Sequence, residues 1–240
     1  MDGIINVYKE KGYTSHDVVA KLRGILHQKK IGHTGTLDPD ATGVLPVCLG
    51  KATKVCELLT DKKKTYLAVV RLGVQTDTQD LTGTILEEKE VKVTEEQIRE
   101  TTASFLGDYE QIPPMYSAVQ KNGQRLYDLA RQGIEVERES RKVTVYSLSL
   151  ANFDEKAQTG TLEISCSKGT YVRTIIDDIG RVLGVGAVMT ALCRTSACGF
   201  SLDECITLDE LKSICENGNV EEKLRSVESL FMSLGYLAVS

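Results

Sequence analysis

The segment Ile31–Gly50, IGHTGTLDPDATGVLPVCLG, restricts the fold more than any other stretch of this 240-residue chain. Four glycines, two prolines, a histidine and two aspartates share its twenty residues. Gly32, Gly35 and Gly43 open backbone conformations that other residues resist. Asp38-Pro39 starts a turn, because proline fixes φ and aspartate can bond its own backbone. The apolar run Val44-Leu45-Pro46-Val47-Cys48-Leu49 then reads as buried. A polar turn is thus held against a core segment, which gives reactive side chains a rigid support. By composition alone the segment is equally compatible with an ordinary surface turn.

The remaining chain reads as strands interleaved with helices. Ile4–Tyr8 has the pattern of a short strand. Thr14 or Ser15 can cap a helix with Val18, Val19, Leu22, Ile25 and Leu26 on one face. Residues 51–59 suggest a helix, 66–72 a strong strand, 76–83 a polar loop and 84–86 a strand. Thr94 with Gln97 makes a capping box for a helix through Leu106, with Ile98, Thr102 and Phe105 inward. Residues 143–150 and 162–166 alternate as strands, Ile175 to Leu183 has helical spacing, and Thr207 with Glu210 caps a helix carrying Leu208, Leu211 and Ile214. Without a regular βαβ spacing, this mixture predicts an α+β fold.

Composition narrows the function. The net charge is −5, but residues 1–64 hold 11 Lys+Arg against 7 Asp+Glu, whereas residues 201–240 hold 3 against 8. Such asymmetry permits a basic face on an acidic protein. No apolar run approaches the roughly 20 residues of a membrane helix, and the N-terminus has no export-signal pattern. Seven cysteines without a C-x-x-C pair or a Cys/His cluster read as mostly buried free thiols in a reducing compartment, not as a zinc site. Residues 111–142 form a long polar excursion. Its last 22 residues carry six basic and four acidic side chains, the character of a binding element or of a solvated hairpin and helix.

Four segments, in order, resemble the TruB-type bacterial tRNA pseudouridine synthases. They are GHTGTLDPDATGVLP; Lys64-Thr65-Tyr66 with Arg71-Leu72-Gly73 and Thr76-Asp77-Thr78; Pro113-Pro114-Met115-Tyr116-Ser117-Ala118; and Ser167–Thr174, SKGTYVRT. The likeness runs from about Gly3 to the mid-220s. It implies the pseudouridine synthase fold, a mixed, largely antiparallel sheet flanked by helices, with an inserted RNA-binding thumb at about 111–142. The catalytic domain would span 1–225, leaving 226–240 as a short remnant and no complete C-terminal PUA domain.

The resemblance also implies a reaction. Uridine becomes pseudouridine when the bond from C1′ to N1 breaks, the uracil turns, and C5 rejoins C1′. Nothing else is exchanged, so neither cofactor nor metal is needed. A carboxylate near the flipped base is needed. Asp38 occupies the family's catalytic position, ionised at neutral pH by default. Attack at C1′, attack at the base and proton abstraction from C2′ all stay open. By the same resemblance Arg173 pairs with the catalytic aspartate, and Tyr66 stacks on the target base and serves proton transfer. His33 fills the gap the base leaves, while Tyr171 and Leu192 line the pocket. Lys62, Lys63, Lys64, Lys121, Arg125 and Arg131 would contact the RNA backbone, which positions without specifying sequence. The implied partner is the T-arm stem-loop of tRNA, met by a cytoplasmic monomer with no membrane association and no obligatory protein partner. The alternative is an RNA-binding, tRNA-folding protein without essential catalysis.

Overall fold

The computed structural model describes residues 1–60, 62–218 and 220–236. In chain order, β1 (Gly3–Lys9) leads to α1 (Ser15–Ile25). β2 (Ile31–His33) and β3 (Thr42–Leu49) flank the glycine-rich turn. A 3₁₀ segment runs into α2 (Cys56–Thr60) and then β4 (Lys64–Leu72). β5 (Val74–Thr76) and β6 (Ile85–Glu88) precede α3 (Glu95–Ala103) and β7 (Gly107–Gln111). Next come β8 (Gln120–Lys121), β9 (Gln124–Arg125), α4 (Leu126–Arg131), β10 (Arg141–Asp154) and β11 (Thr159–Cys166). α5 (Val172–Val182), β12 (Ala187–Ala197), β13 (Phe200–Ser201), α6 (Leu208–Asn217) and α7 (Val227–Ser233) follow.

The chain divides into two compact units, Met1–Tyr66 with Leu192–Ser240, and Leu67–Ala191. In the first, β3 is central. β1 pairs antiparallel along one edge, from Gly3 opposite Leu49 to Lys9 opposite Gly43. The other edge is shared: β2 pairs antiparallel with Val47–Leu49, and β12 pairs parallel at Thr42 and Gly43. The period-2 side-chain alternation sends Ile5, Val7, Leu45, Val47 and Leu49 to one face, against Val18, Val19 and Leu22 of α1 and Leu208 and Leu211 of α6. Ile4, Val44 and Cys48 face the other side, against Leu59 of α2 and Leu230 of α7. Apolar on both faces, β3 reads as one continuous hydrophobic run. Gly43 is required where β3 meets β12. Its φ is 105°, and a Cβ there would lie 2.2 Å from the Arg194 carbonyl oxygen.

In the second unit, β10 is the hub. It pairs antiparallel with β7, from Arg141 opposite Gln111, and with β11, to Asp154 opposite Thr159. Ile98 and Thr102 of α3 and Ile175, Ile176 and Ile179 of α5 are buried. Between β7 and β10 the excursion at 111–142 has a small core of its own, Met115, Leu126 and Leu129. Its hairpin β8–β9 turns at Asn122-Gly123, both with positive φ, the Asn-Gly signature of a tight two-residue hairpin.

The mixed, mostly antiparallel sheet with packed helices is the α+β class expected from sequence. Three capping boxes, at Thr14, Thr94 and Thr207, start helices α1, α3 and α6. One expectation needs adjustment. α3 ends at Ala103, short of Leu106, because Gly107 at φ 91° turns the chain into β7. The stretch 226–240 contains α7, whose Leu230 is fully buried; residues 237–240 lie outside the described residues. Of the seven free cysteines, Cys48, Cys166 and Cys198 are buried and the other four half-buried. No described helix is long and apolar enough to cross a membrane.

Candidate active site

In the first unit the turn carrying Asp38 is fixed from below. The backbone closes on itself through Ala41 N–H donating to the Asp38 carbonyl at 3.0 Å. Lys9, fully buried at the end of β1, donates its ammonium to the carbonyls of Pro39 (3.0 Å), Ala41 (2.5 Å) and Glu10 (3.2 Å). Burial pushes the Lys9 amine down to about 8, while the Asp38 and Asp40 carboxylates oppose that shift. From α1, buried Ser15 accepts the Leu37 N–H at 2.9 Å. From β12, buried Arg194 donates to the Val44 carbonyl at 2.7 Å and the Gly35 carbonyl at 3.3 Å. Asp38 itself is half-buried, whereas Asp40 is exposed and 3.9 Å from the Lys11 ammonium. A rigid loop thus presents one sheltered carboxylate and leaves its neighbour to solvent.

His33 ends β2 at the mouth of the same loop. Its Nδ1 accepts the Gly35 N–H at 3.3 Å, which leaves the proton on Nε2. Burial, then the neighbouring His16 ring and Arg194, push its pKa down to about 4. The imidazole is therefore neutral at physiological pH, edge-on to His16 with 5.2 Å between ring centroids. Tyr66 and Leu192 are buried in this unit, and the Leu192 carbonyl accepts the Thr42 hydroxyl at 3.5 Å. Leu192 thus borders the strand that leaves the loop.

In the second unit, three of the segments singled out by sequence converge on Arg173. This arginine is buried at the start of α5. One guanidinium nitrogen lies 3.4 Å from Asp80 Oδ2, and the other donates to the Tyr116 carbonyl of the PPMYSA segment at 2.5 Å. Tyr171 places its ring 5.8 Å from the Arg173 guanidinium carbon, within cation–π range. Buried Gln111 fixes the Tyr171 backbone by accepting its N–H at 2.8 Å and donating to its carbonyl at 3.0 Å. Asp80 has no role assigned from sequence, where 76–83 is a polar loop and Thr76-Asp77-Thr78 carries the family likeness. Its Oδ1 accepts from the hydroxyls of Thr78 (2.8 Å) and Thr82 (2.5 Å) and from the Thr82 N–H (2.9 Å). The one local signal was the Thr-x-Asp-x-Thr spacing that permits this turn.

The basic residues separate into two groups. Lys63 is exposed, and Lys62 lies 3.8 Å over the Tyr236 ring. Lys64 differs from the surface contact expected of it. It is buried, and its ammonium donates to the carbonyls of Thr60 (2.7 Å) and Lys62 (2.9 Å), because the strand alternation of β4 turns it inward. In the excursion at 111–142, Arg125 and Arg131 are exposed and flank the Tyr127 ring at 5.7 and 5.3 Å, and Lys121 donates to the Glu137 carbonyl.

Comparison with known proteins gives the family. Residues 23–172 match the family model described as TruB family pseudouridylate synthase (N terminal domain), and residues 173–230 match the tRNA pseudouridylate synthase B C-terminal domain. The chain is 51% identical over 225 residues to the tRNA pseudouridine synthase B of Alkaliphilus oremlandii (strain OhILAs), covering 93% of this chain and 73% of that one. The corresponding protein of Bacillus pumilus (strain SAFR-032) is 51% identical over 233 residues, covering 95% and 75%. Among solved structures, a chain of the crystal structure of a Cbf5-Nop10-Gar1 complex superposes with a TM-score of 0.76 at 31% identity. That match covers 96% of this chain, which spans 62% of the solved one. With both matches contiguous over residues 23–230 and half of all positions shared with such relatives, the chain belongs to the TruB family of pseudouridine synthases.

Proposed function

We propose that this protein isomerises the T-loop uridine of tRNA, position 55, to pseudouridine. The observation that carries the reading is the Asp38 loop, a half-buried carboxylate on a turn immobilised by Lys9, Ser15 and Arg194. Family membership and the names of the relatives support the substrate and the reaction. Asp38 supplies the carboxylate on which the glycosidic rearrangement depends. Arg173 supplies the positive charge for the same reaction. Tyr66 stacks on the flipped uracil, a contact worth about 1–3 kcal/mol per base, and Tyr171 and Leu192 shape the pocket. His33 is a neutral ring at physiological pH, so it can occupy the space vacated by a base without bringing in a charge. The reaction exchanges nothing beyond a proton between C5 and N1, and it calls for no cofactor.

The thumb at 111–142, with Lys121, Arg125 and Arg131, and the pair Lys62 and Lys63 hold the RNA backbone. Lys64 takes no part in that contact, since its ammonium is committed to carbonyls. Residues 1–225 form the catalytic domain. The enzyme acts as a cytoplasmic monomer, where its tRNA substrate resides.

The test is a paired measurement on an unmodified T-arm stem-loop with chemical mapping of pseudouridine. Wild type converts the T-loop uridine. Asp38→Asn binds the same RNA with affinity within about threefold and converts it at least about 10³-fold more slowly, the loss typical of removing a principal catalytic group. Binding without conversion by wild type would instead favour the RNA-folding role.

A further inference from the structure

We propose that Gln79 is a positioning residue for this reaction, an amide clamp that holds the Asp80 turn on helix α5 and thereby sets Arg173. The inference rests on the role assigned to Arg173 above.

Gln79 stands between Thr78 and Asp80 with φ 65°, in the left-handed region that residues other than glycine seldom occupy. In an extended chain, neighbouring side chains point to opposite sides. The left-handed step breaks that alternation, and the side chains of both Gln79 and Asp80 reach the same helix. Gln79 Oε1 accepts the Thr174 hydroxyl at 2.7 Å, and its Nε2 donates to Asp177 Oδ2 at 3.2 Å. Thr174 and Asp177 lie three apart on α5, hence on one face, and both are buried. The Gln79 carbonyl also accepts the Met189 N–H at 3.2 Å, which ties the turn to β12.

The distances show which contact does the holding. Asp80 and Arg173 are 3.4 Å apart, long for a charge-assisted hydrogen bond. One residue along on each side, the Gln79–Thr174 contact is 2.7 Å and the same amide has a second buried partner. The amide fork therefore fixes the register of turn and helix, and the carboxylate pairs with the arginine inside that register. A displacement of about 1 Å of a catalytic group is enough to cost orders of magnitude in rate.

Asp177 makes the clamp sensitive to charge. Its carboxylate also accepts from Arg181 at 2.7 Å, and Arg181 bridges to Asp178 at 3.0 Å. Asp178 in turn accepts the Tyr109 hydroxyl from β7. The groups around the clamp are thus Arg181, Asp178 and Arg173 on α5, Asp80 on the turn, and Tyr109 on β7. Burial already pushes the Asp177 carboxyl upward. A second carboxylate at position 79 would face it at hydrogen-bond distance, and the pair would release its strain on taking up one proton.

The experiment uses the full chain and a saturating T-arm stem-loop, with kcat, RNA Kd and Tm measured for wild type, Gln79→Ala, Gln79→Glu and Arg173→Ala. Gln79→Ala is expected to lower kcat about tenfold, with Kd within about twofold of wild type. Gln79→Glu, isosteric and folded, is expected to be slow at pH 8 and to recover at least about fivefold relative to wild type by pH 6, as the paired carboxyls share a proton. A wild-type kcat in Gln79→Ala, or a Gln79→Glu rate with the same pH dependence as wild type, overturns the clamp if Arg173→Ala is slow. Should Arg173→Ala itself react at the wild-type rate, the role given to Arg173 fails, and the clamp fails with it.

Discussion

At the scale of single residues, His33 shows how burial turns an ordinary side chain into a pH-sensitive one. Its folded pKa, about 4, lies below the ordinary 6.5. Between those values the unfolded chain binds a proton that the folded chain refuses. Stability must therefore fall as pH drops from 7 towards 4. At pH 5 the expected loss from this group is about 2 kcal/mol. Urea unfolding of wild type and His33→Gln at pH 7 and pH 5 measures it: the wild-type midpoint should drop further than that of the variant. Equal drops would show that the ring protonates freely in the native state. Motif likeness singled out His33, Asp38 and Arg173 in the sequence, but nothing there marked Asp80 as a contact of Arg173. Asp80 is 93 residues away and looks like any turn aspartate until the fold brings it to α5. Lys64 misled for a related reason. It closes a run of three lysines, yet β4 begins there and turns it inward.

At the scale of elements, the join of β3 and β12 is the most exacting feature. Gly43 accepts its positive φ without penalty and leaves room for the Arg194 backbone. Gly43→Ala is expected to destabilise the protein by about 3 kcal/mol or more, since both the conformation and the close approach oppose a Cβ. The readout is the urea midpoint, or the loss of soluble protein. A variant as stable as wild type would mean that the two strands separate there without cost. Helix starts were legible because capping is local: Thr94 with Gln97 and Thr207 with Glu210 mark two boxes, and of the two candidates Thr14 and Ser15 the structure selects Thr14, boxed with Asp17. β12 was not. Its sequence, AVMTALCRTSA, has no clean alternation, because successive parts of it face different environments. The thumb hairpin was half legible. Asn122-Gly123 marks a turn, but two-residue strands carry too few side chains to show a period.

At the scale of the whole molecule, an enzyme of net charge −5 binds a polyanion. RNA samples local rather than net charge, and on the proposed interface the exposed Lys63, Arg125 and Arg131 supply positive charge. T-arm affinity should therefore fall steeply with salt, by about 0.7–0.9 in the log–log slope per phosphate contact. Replacing both Arg125 and Arg131 with alanine is expected to reduce that slope by about two units and weaken binding to all RNA sequences alike. Filter-binding titrations from 50 to 200 mM salt provide the comparison, and an unchanged slope would remove the thumb arginines from the interface.

The sequence by itself determined the capped helix starts, the buried run of β3 and the carboxylate on a glycine-rich turn. Each depends on residues a few positions apart, where backbone sterics, capping and periodicity act. Only the tertiary structure decided which cations are buried, with Lys9, Lys64 and Arg194 spent on backbone carbonyls rather than on solvent. It also decided that Asp80 meets Arg173 and that Gln79 grips α5. Burial and pairing are set by packed neighbours remote along the chain, and a lysine or an aspartate carries no local mark of which environment it will enter.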